Sequence, residues 1–232
     1  YDGTELTNNK VTVTTGAFVG NDGATYNVTG SQLNKGTSKN TFTYQLNEGT
    51  KSTNYAITKV LGNLTVTPVT EAVTVTIAGQ VGTEKYDGRE YTVRGYEIAA
   101  NNSLYETSNV QFNGAKDFAT GKDAGSYTTK LNAADFVNTN ANFANVTFVI
   151  QNDIVLTVQK RAVTLTSATD SKVYDGTPLT NSEITVGGDG FANGEGATYE
   201  VTGTQTTAGT SGNTFIYTLN AGTNADNYEI NK

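Results

Sequence analysis

"SKVYDGTPLT", residues 171–180, carries a Tyr-Asp-Gly triplet that stands twice more in the chain, as "YDGTEL" from Tyr1 and within "EKYDGREYTV" around Tyr86. A corner rebuilt three times is either a site used three times or a turn the fold needs once per domain. Asp-Gly between alternating segments is a strong turn signal, because Gly tolerates positive φ and Asp bonds its own backbone two residues on. The preceding Tyr can lay its ring over the end of a sheet and send its hydroxyl to a backbone group. A ligand-binding or catalytic Asp–Tyr pair would need a common charged neighbour at all three corners. None recurs: Lys85 lies one residue ahead of its Tyr, Lys172 lies two ahead, and the chain has no His. The corner therefore reads as architecture.

Around the corners the chain repeats itself. Residues 1–59 laid without gaps on 174–232 share 33 of 59 positions. "GATYNVTGSQ" matches "GATYEVTGTQ", "NTFTYQLNEGT" matches "NTFIYTLNAGT", and "NYAITK" matches "NYEINK". The middle third is a more distant copy with a longer excursion, running from "YTVRGYEI" to "NVTFVIQNDIVLTVQ". Corners at 1, 86 and 174 lie 85 and 88 residues apart. That spacing suits domains of ~80 to 90 residues, not the ~20 to 45 residue units of a solenoid. It predicts β-repeat domains over 1–68, 69–160 and 161–232. A strand-like lead, "AVTVTIAGQVGTEK" or "AVTLTSATDSKV", precedes the second and third corners, and "VLGNLTVTP" closes the first repeat. The first domain is thus expected without its opening strand, the third without its closing strand, and each with an unpaired sheet edge.

Polar–apolar alternation sets the fold class. Phe42, Tyr44 and Leu46 face one way between Thr41, Thr43 and Gln45, and Phe215, Tyr217 and Leu219 repeat the pattern. Val73, Val75 and Ile77 alternate with threonines, as do Val163 and Leu165, and Ile154, Leu156 and Val158 follow the same period. Such runs of β-branched and aromatic residues, separated by Gly and Asn clusters, mark half-buried strands of mainly antiparallel sheets. Only residues 132–143 could hold a helical turn or two. The reading is all-β: three tandem elongated domains, Ig-like sandwich or β-grasp-like, standing end to end as a rod. Strands of ~10 residues at ~3.3 Å rise give beads of roughly 30 to 40 Å and a rod of roughly 100 Å.

Composition narrows the chemistry. The net charge of −7 and pI near 4.6 argue against nucleic acid or an anionic membrane surface, both of which need concentrated Lys and Arg. Without His or Cys the usual general base, thiol nucleophile and best zinc ligands are missing. The acids show no fixed pairing across the repeats, so no catalytic residue, cofactor or metal ligand is assigned and the chain reads as a non-enzyme. Asp189 and Glu195 in "GGDGFANGEGAT" have hard-oxygen chemistry. Gly16 replaces Asp189 in the twin copy, however, and the stretch reads as turns. Asn54 and Asn227 could supply the amide of an internal Lys–Asn cross-link, with no Lys marked out as partner. Tyr91, Tyr96 and Tyr105 lack matches in the twins and are the tyrosines with the best claim to the surface, as possible ligand-contacting aromatics, although packing under the middle repeat's longer excursion is the favoured reading. A monomer in solution is expected.

As a set, "KVYDGTPLT", "GEGATYEVTGTQ", "NTFIYTLN", "NYEI" and "GNLTVTP" resemble the MBG/YDG-type repeats of large Gram-positive cell-surface proteins. The middle third resembles the unit that alternates with them in gut Firmicutes. The resemblance implies an extracellular, cell-wall-attached chain in an adhesin or mucin-associated stalk, with no catalytic residues. Two functions follow as expectations: a spacer that projects a distal binding region, or repeats that themselves engage mucin glycans or a host surface protein.

Overall fold

The structure, a computed structural model, describes residues 1–232 and contains strands, turns and short 3-10 segments but no α-helix. Residues 132–143 hold a single 3-10 turn, Ala133–Asp135, and then the short strand Phe136–Asn138. The chain is all-β, as its alternation predicts.

Alternation places the core. Val73, Val75 and Ile77 are fully buried along the strand Val73–Gly79, with the intervening Thr74 and Thr76 half-buried. Ile154, Leu156 and Val158 repeat this on Ile154–Gln159, and Val163 and Leu165 on Arg161–Ser167. Each of these three strands is the middle member of a three-stranded sheet. That position explains their burial, since both edges are paired and one face is covered. Val73–Gly79 lies between Tyr96–Ala100 and Val146–Asn152. Ile154–Gln159 pairs antiparallel with Gly125–Thr129 and parallel with Val81–Lys85. Arg161–Ser167 pairs antiparallel with Ile184–Gly188 and parallel with Tyr228–Asn231. The parallel pairs are an addition to the expected antiparallel scheme; each needs a long crossover, which the rest of the repeat supplies.

The twin repeats build the same hairpin in the same register. Ala24–Val28 pairs with Phe42–Leu46, Ala24 opposite Leu46, and Ala197–Val201 pairs with Phe215–Leu219, Ala197 opposite Leu219. Cross-strand partners Tyr26 and Tyr44 are 39% and 40% exposed, so this face of the first hairpin is only partly covered.

Elsewhere the twins differ. Residues 11–15 and 55–58 are not strands, although the aligned 184–188 and 228–231 are. In the third repeat both segments pair with Arg161–Ser167, a strand with no counterpart between Tyr1 and Lys59. Conversely Gly36–Lys39 is a strand paired with Asn63–Val66, while the aligned 209–212 is not a strand. Aligned, closely similar segments take up a ladder only where the hydrogen-bonding partner is present.

The chain divides into two compact units, each discontinuous in sequence. One comprises Tyr1–Thr76, Ile98–Asn113 and Ala133–Val149; the other comprises Ile77–Glu97, Gly114–Asn132 and Ile150–Lys232. The middle repeat contributes to both. The first unit therefore contains contacts between the first and middle repeats, and the second unit contains contacts between the middle and third.

Candidate functional site

The three corners have one local geometry. Asp2, Asp87 and Asp175 each accept, through Oδ1, the backbone N–H two residues on, from Thr4 (2.9 Å), Arg89 (3.0 Å) and Thr177 (2.9 Å). The glycines that follow sit at φ +80°, +85° and +78°, a region that favours Gly. The turn is thus fixed by Asp and Gly alone, which leaves the Tyr free to serve another purpose.

That purpose appears at Tyr86. Its ring is 2% exposed and packs edge-on against Tyr228, centroids 5.6 Å apart. Tyr228 in turn stands edge-on to Phe191 at 5.1 Å. The expected hydroxyl-to-backbone bond is not what forms. Tyr86 donates instead to the Glu195 carboxylate, whose other oxygen accepts from Tyr228 at 2.8 Å. Both acceptor oxygens are therefore committed to tyrosines. Burial, reinforced by the bond to Glu195, holds the Tyr86 phenol well above the usual tyrosine range, and burial pushes Tyr228 up to about 12. Ala192, 4% exposed, donates its N–H to the Tyr228 hydroxyl at 3.0 Å.

A second contact accompanies the corner. Asn227 is fully buried, accepts the Ala124 N–H on Oδ1 (2.7 Å) and donates Nδ2 to Asp123 (2.9 Å). Its amide is taken up by the middle repeat's 123–124 loop, so the Lys–Asn cross-link expectation finds this Asn bonded to Asp123 and a backbone N–H. Around the rim, Lys85 pairs with Asp189 at 2.9 Å, and Arg161 donates to the carbonyls of Tyr86, Asp189 and Gly190. Asp189 and Glu195, the acids weighed for calcium, are thus occupied by a lysine and two tyrosines.

The first unit repeats the arrangement with different rings. Tyr1 stands edge-on to Phe143 at 5.8 Å, and Phe143 edge-on to Tyr105 at 5.1 Å. Asn142, 7% exposed, accepts the Lys35 N–H on Oδ1 (2.6 Å) and donates Nδ2 to Asn34 (2.9 Å). Asn142 and Asn227 are the buried polar residues of the chain, and each is satisfied by a loop of the preceding repeat. A polar side chain is tolerated in such a place only when fully hydrogen-bonded. We call the arrangement a corner and socket: a Tyr plus a loop N–H on one side, a ring pair plus a buried Asn on the other.

The candidate ligand-contacting tyrosines fare differently. Tyr105 is 4% exposed, in line with the packing reading: its ring belongs to the socket and its hydroxyl donates to Asn138 at 2.9 Å. Tyr91 and Tyr96 are half-buried on Tyr91–Arg94 and Tyr96–Ala100 and fall in the second unit, whereas Tyr105 falls in the first. A cleft of about 550 Å³ beside the middle corner is lined by Asp87, Arg89, Lys122, Arg161 and Glu195 among others. Arg89 is held by Asp87 at 2.6 Å and Arg161 by three carbonyls, so the cleft's charges largely serve the joint.

Sequence reasoning weighed Glu195 only as a metal ligand and missed its pairing with Tyr86 and Tyr228. The signal was present: Asp22 and Tyr55 occupy the same positions in the first repeat, where Tyr55 donates to Asp22 at 2.7 Å and Val19 N–H donates to Tyr55 at 3.0 Å. Compared with known proteins, the chain matches no family model, no curated protein and no solved structure.

Proposed function

We propose that this chain is a non-catalytic spacer of a bacterial cell-surface adhesin. Its repeats couple end to end as a rod and hold a distal binding region away from the cell wall. The observation that carries this reading is the corner and socket formed twice, by Tyr1 with Phe143 and by Tyr86 with Tyr228, each backed by a buried Asn. A joint that buries an aromatic ring and satisfies an internal amide resists bending, which a tether of Gly and Ser would not. The placement at the cell surface of a Gram-positive bacterium rests on the resemblance to MBG/YDG-type repeats. The recurrent polar groups are consumed by the joints themselves, which favours spacing over ligand capture.

Small-angle scattering and a mucin-glycan binding assay on this chain test the proposal together. The expected result is an elongated particle, roughly 100 Å in its longest dimension by strand-rise arithmetic, with no saturable glycan binding. A compact globule, or saturable binding, contradicts the spacer reading.

A further inference from the structure

The middle repeat closes on itself in a particular sense. Val81–Lys85, part of the strand-like lead ahead of the corner, runs parallel to Ile154–Gln159, the last strand of the repeat, with Val81 opposite Val155 and Lys85 opposite Gln159. Backbone bonds carry this ladder past both ends. Val155 N–H donates to the Gln80 carbonyl at 3.0 Å, and Tyr86 N–H donates to that of Gln159 at 2.9 Å. In the first unit Val69 bridges Phe143, again in parallel and at the same sequence offset as Val81 and Val155. The third repeat closes in the same way, Arg161 to Thr164 lying parallel to Tyr228 to Asn231.

A repeat opened and closed by parallel neighbours meets tension in a defined way. Pulling along the chain enters Val81–Lys85 at the Val81 end and leaves Ile154–Gln159 at the Gln159 end. These are opposite ends of one ladder, so the strands are drawn past each other. The rungs, which a parallel pair spaces evenly, then carry the load together. In an antiparallel closure both loads would arrive at one end and the rungs would part singly. Ile154–Gln159 is also the middle strand of its sheet, held on its other edge by Gly125–Thr129. Ile154, Leu156 and Val158 along it are buried, which limits water's access to the rungs from that face. Only Lys160 separates Gln159 from Arg161, so load leaving one ladder enters the first strand of the next without slack. The corner adds a stop. Tyr86, the residue after Lys85, is buried against Tyr228, which begins the parallel partner strand of the third repeat.

We propose that these parallel closures are force-bearing clamps, and that a further function of the chain is to carry tension along its length. The inference rests on the spacer reading for the direction of load, and adds that the spacer resists pulling as well as bending. Rupture under load follows the unfolding rate, which depends on the route of opening and not on equilibrium stability alone. Route and stability separate when only the points of attachment change.

The chain has no Cys, so paired Cys substitutions give defined attachment points on the full chain. Val81→Cys with Lys160→Cys loads the ladder from opposite ends, and Glu84→Cys with Lys160→Cys loads it near one end. All three positions are exposed, so both variants are expected to keep the wild-type urea midpoint. In single-molecule pulling at one loading rate, the Val81 pair is expected to rupture at severalfold higher force than the Glu84 pair. Equal forces, or a higher force for the Glu84 pair, overturn the proposal. The unaltered chain held at its two ends is expected to lengthen in abrupt high-force events; gradual lengthening at low force likewise overturns it. Particle shape and glycan binding are not read in either measurement, so failure of the clamp is distinguishable from failure of the spacer reading.

Discussion

Tyr1, Tyr86 and Tyr174 occupy one position of one triplet, and their surroundings set what each contributes. Tyr86 is 2% exposed within a ring cluster and Tyr174 is 66% exposed. Truncating a buried aromatic costs about 3 kcal/mol or more, while a surface change away from special features stays within about 0.5 kcal/mol. Urea unfolding is therefore expected to show a large loss for Tyr86→Ala and almost none for Tyr174→Ala. Equal effects would mean that the triplet acts through its turn alone. The phenols add a pH dependence. Burial raises both Tyr86 and Tyr228 in the folded protein. Their contribution is fully present below the unfolded tyrosine value of about 10 and is lost as pH rises through the folded values. The unfolding midpoint should fall between about pH 9 and about pH 11.5 by more in wild type than in Tyr86→Phe. This role of Tyr86 was only half legible. The triplet announced a turn, but the partner carboxylate lies 109 residues away at Glu195 and carries no local signature. Only the matched Asp22–Tyr55 and Glu195–Tyr228 pairs of the twins pointed to it.

Among the elements, the loop carrying Ala124 and the strands around Arg161–Ser167 show how far sequence pattern reaches. Period-two alternation named the core strands directly, because Val73, Val75, Ile77, Ile154, Leu156, Val158, Val163 and Leu165 are the most deeply buried apolar residues. Pairing partners were not legible from alternation, which is the same for parallel and antiparallel neighbours. Residues 11–15 and 184–188 make the point, being aligned copies of which only the second is a strand. Amide exchange should accordingly be slow through 184–188 and 228–231 and fast through 11–15 and 55–58; equal protection would contradict the structure. The buried asparagines give a second contrast. Asn227→Ala strands the Ala124 N–H and the Asp123 carboxylate in a buried place, at a cost of about 1–3 kcal/mol. Asn54→Ala, at an exposed copy of the same position, should cost little. Comparing their denaturation midpoints checks both.

At the scale of the whole molecule, the Tyr-Asp-Gly corners at Tyr1 and Tyr86 join consecutive repeats. Excess chelator should leave the melting temperature unchanged, since Asp189 and Glu195 are bonded to Lys85, Tyr86 and Tyr228. A drop on chelation would reopen the metal reading. The most direct test compares three amides in one hydrogen-exchange experiment. Lys35 and Ala124 donate to buried asparagines at 2.6 and 2.7 Å, while Ala208, the copy of Lys35, is exposed. Slow exchange is expected at Lys35 and Ala124, fast exchange at Ala208, and loss of protection at Ala124 in Tyr86→Ala with Lys35 unaffected. Ala124 exchange that ignores the loss of Tyr86, or protection of Ala208 equal to that of the other two, would contradict it.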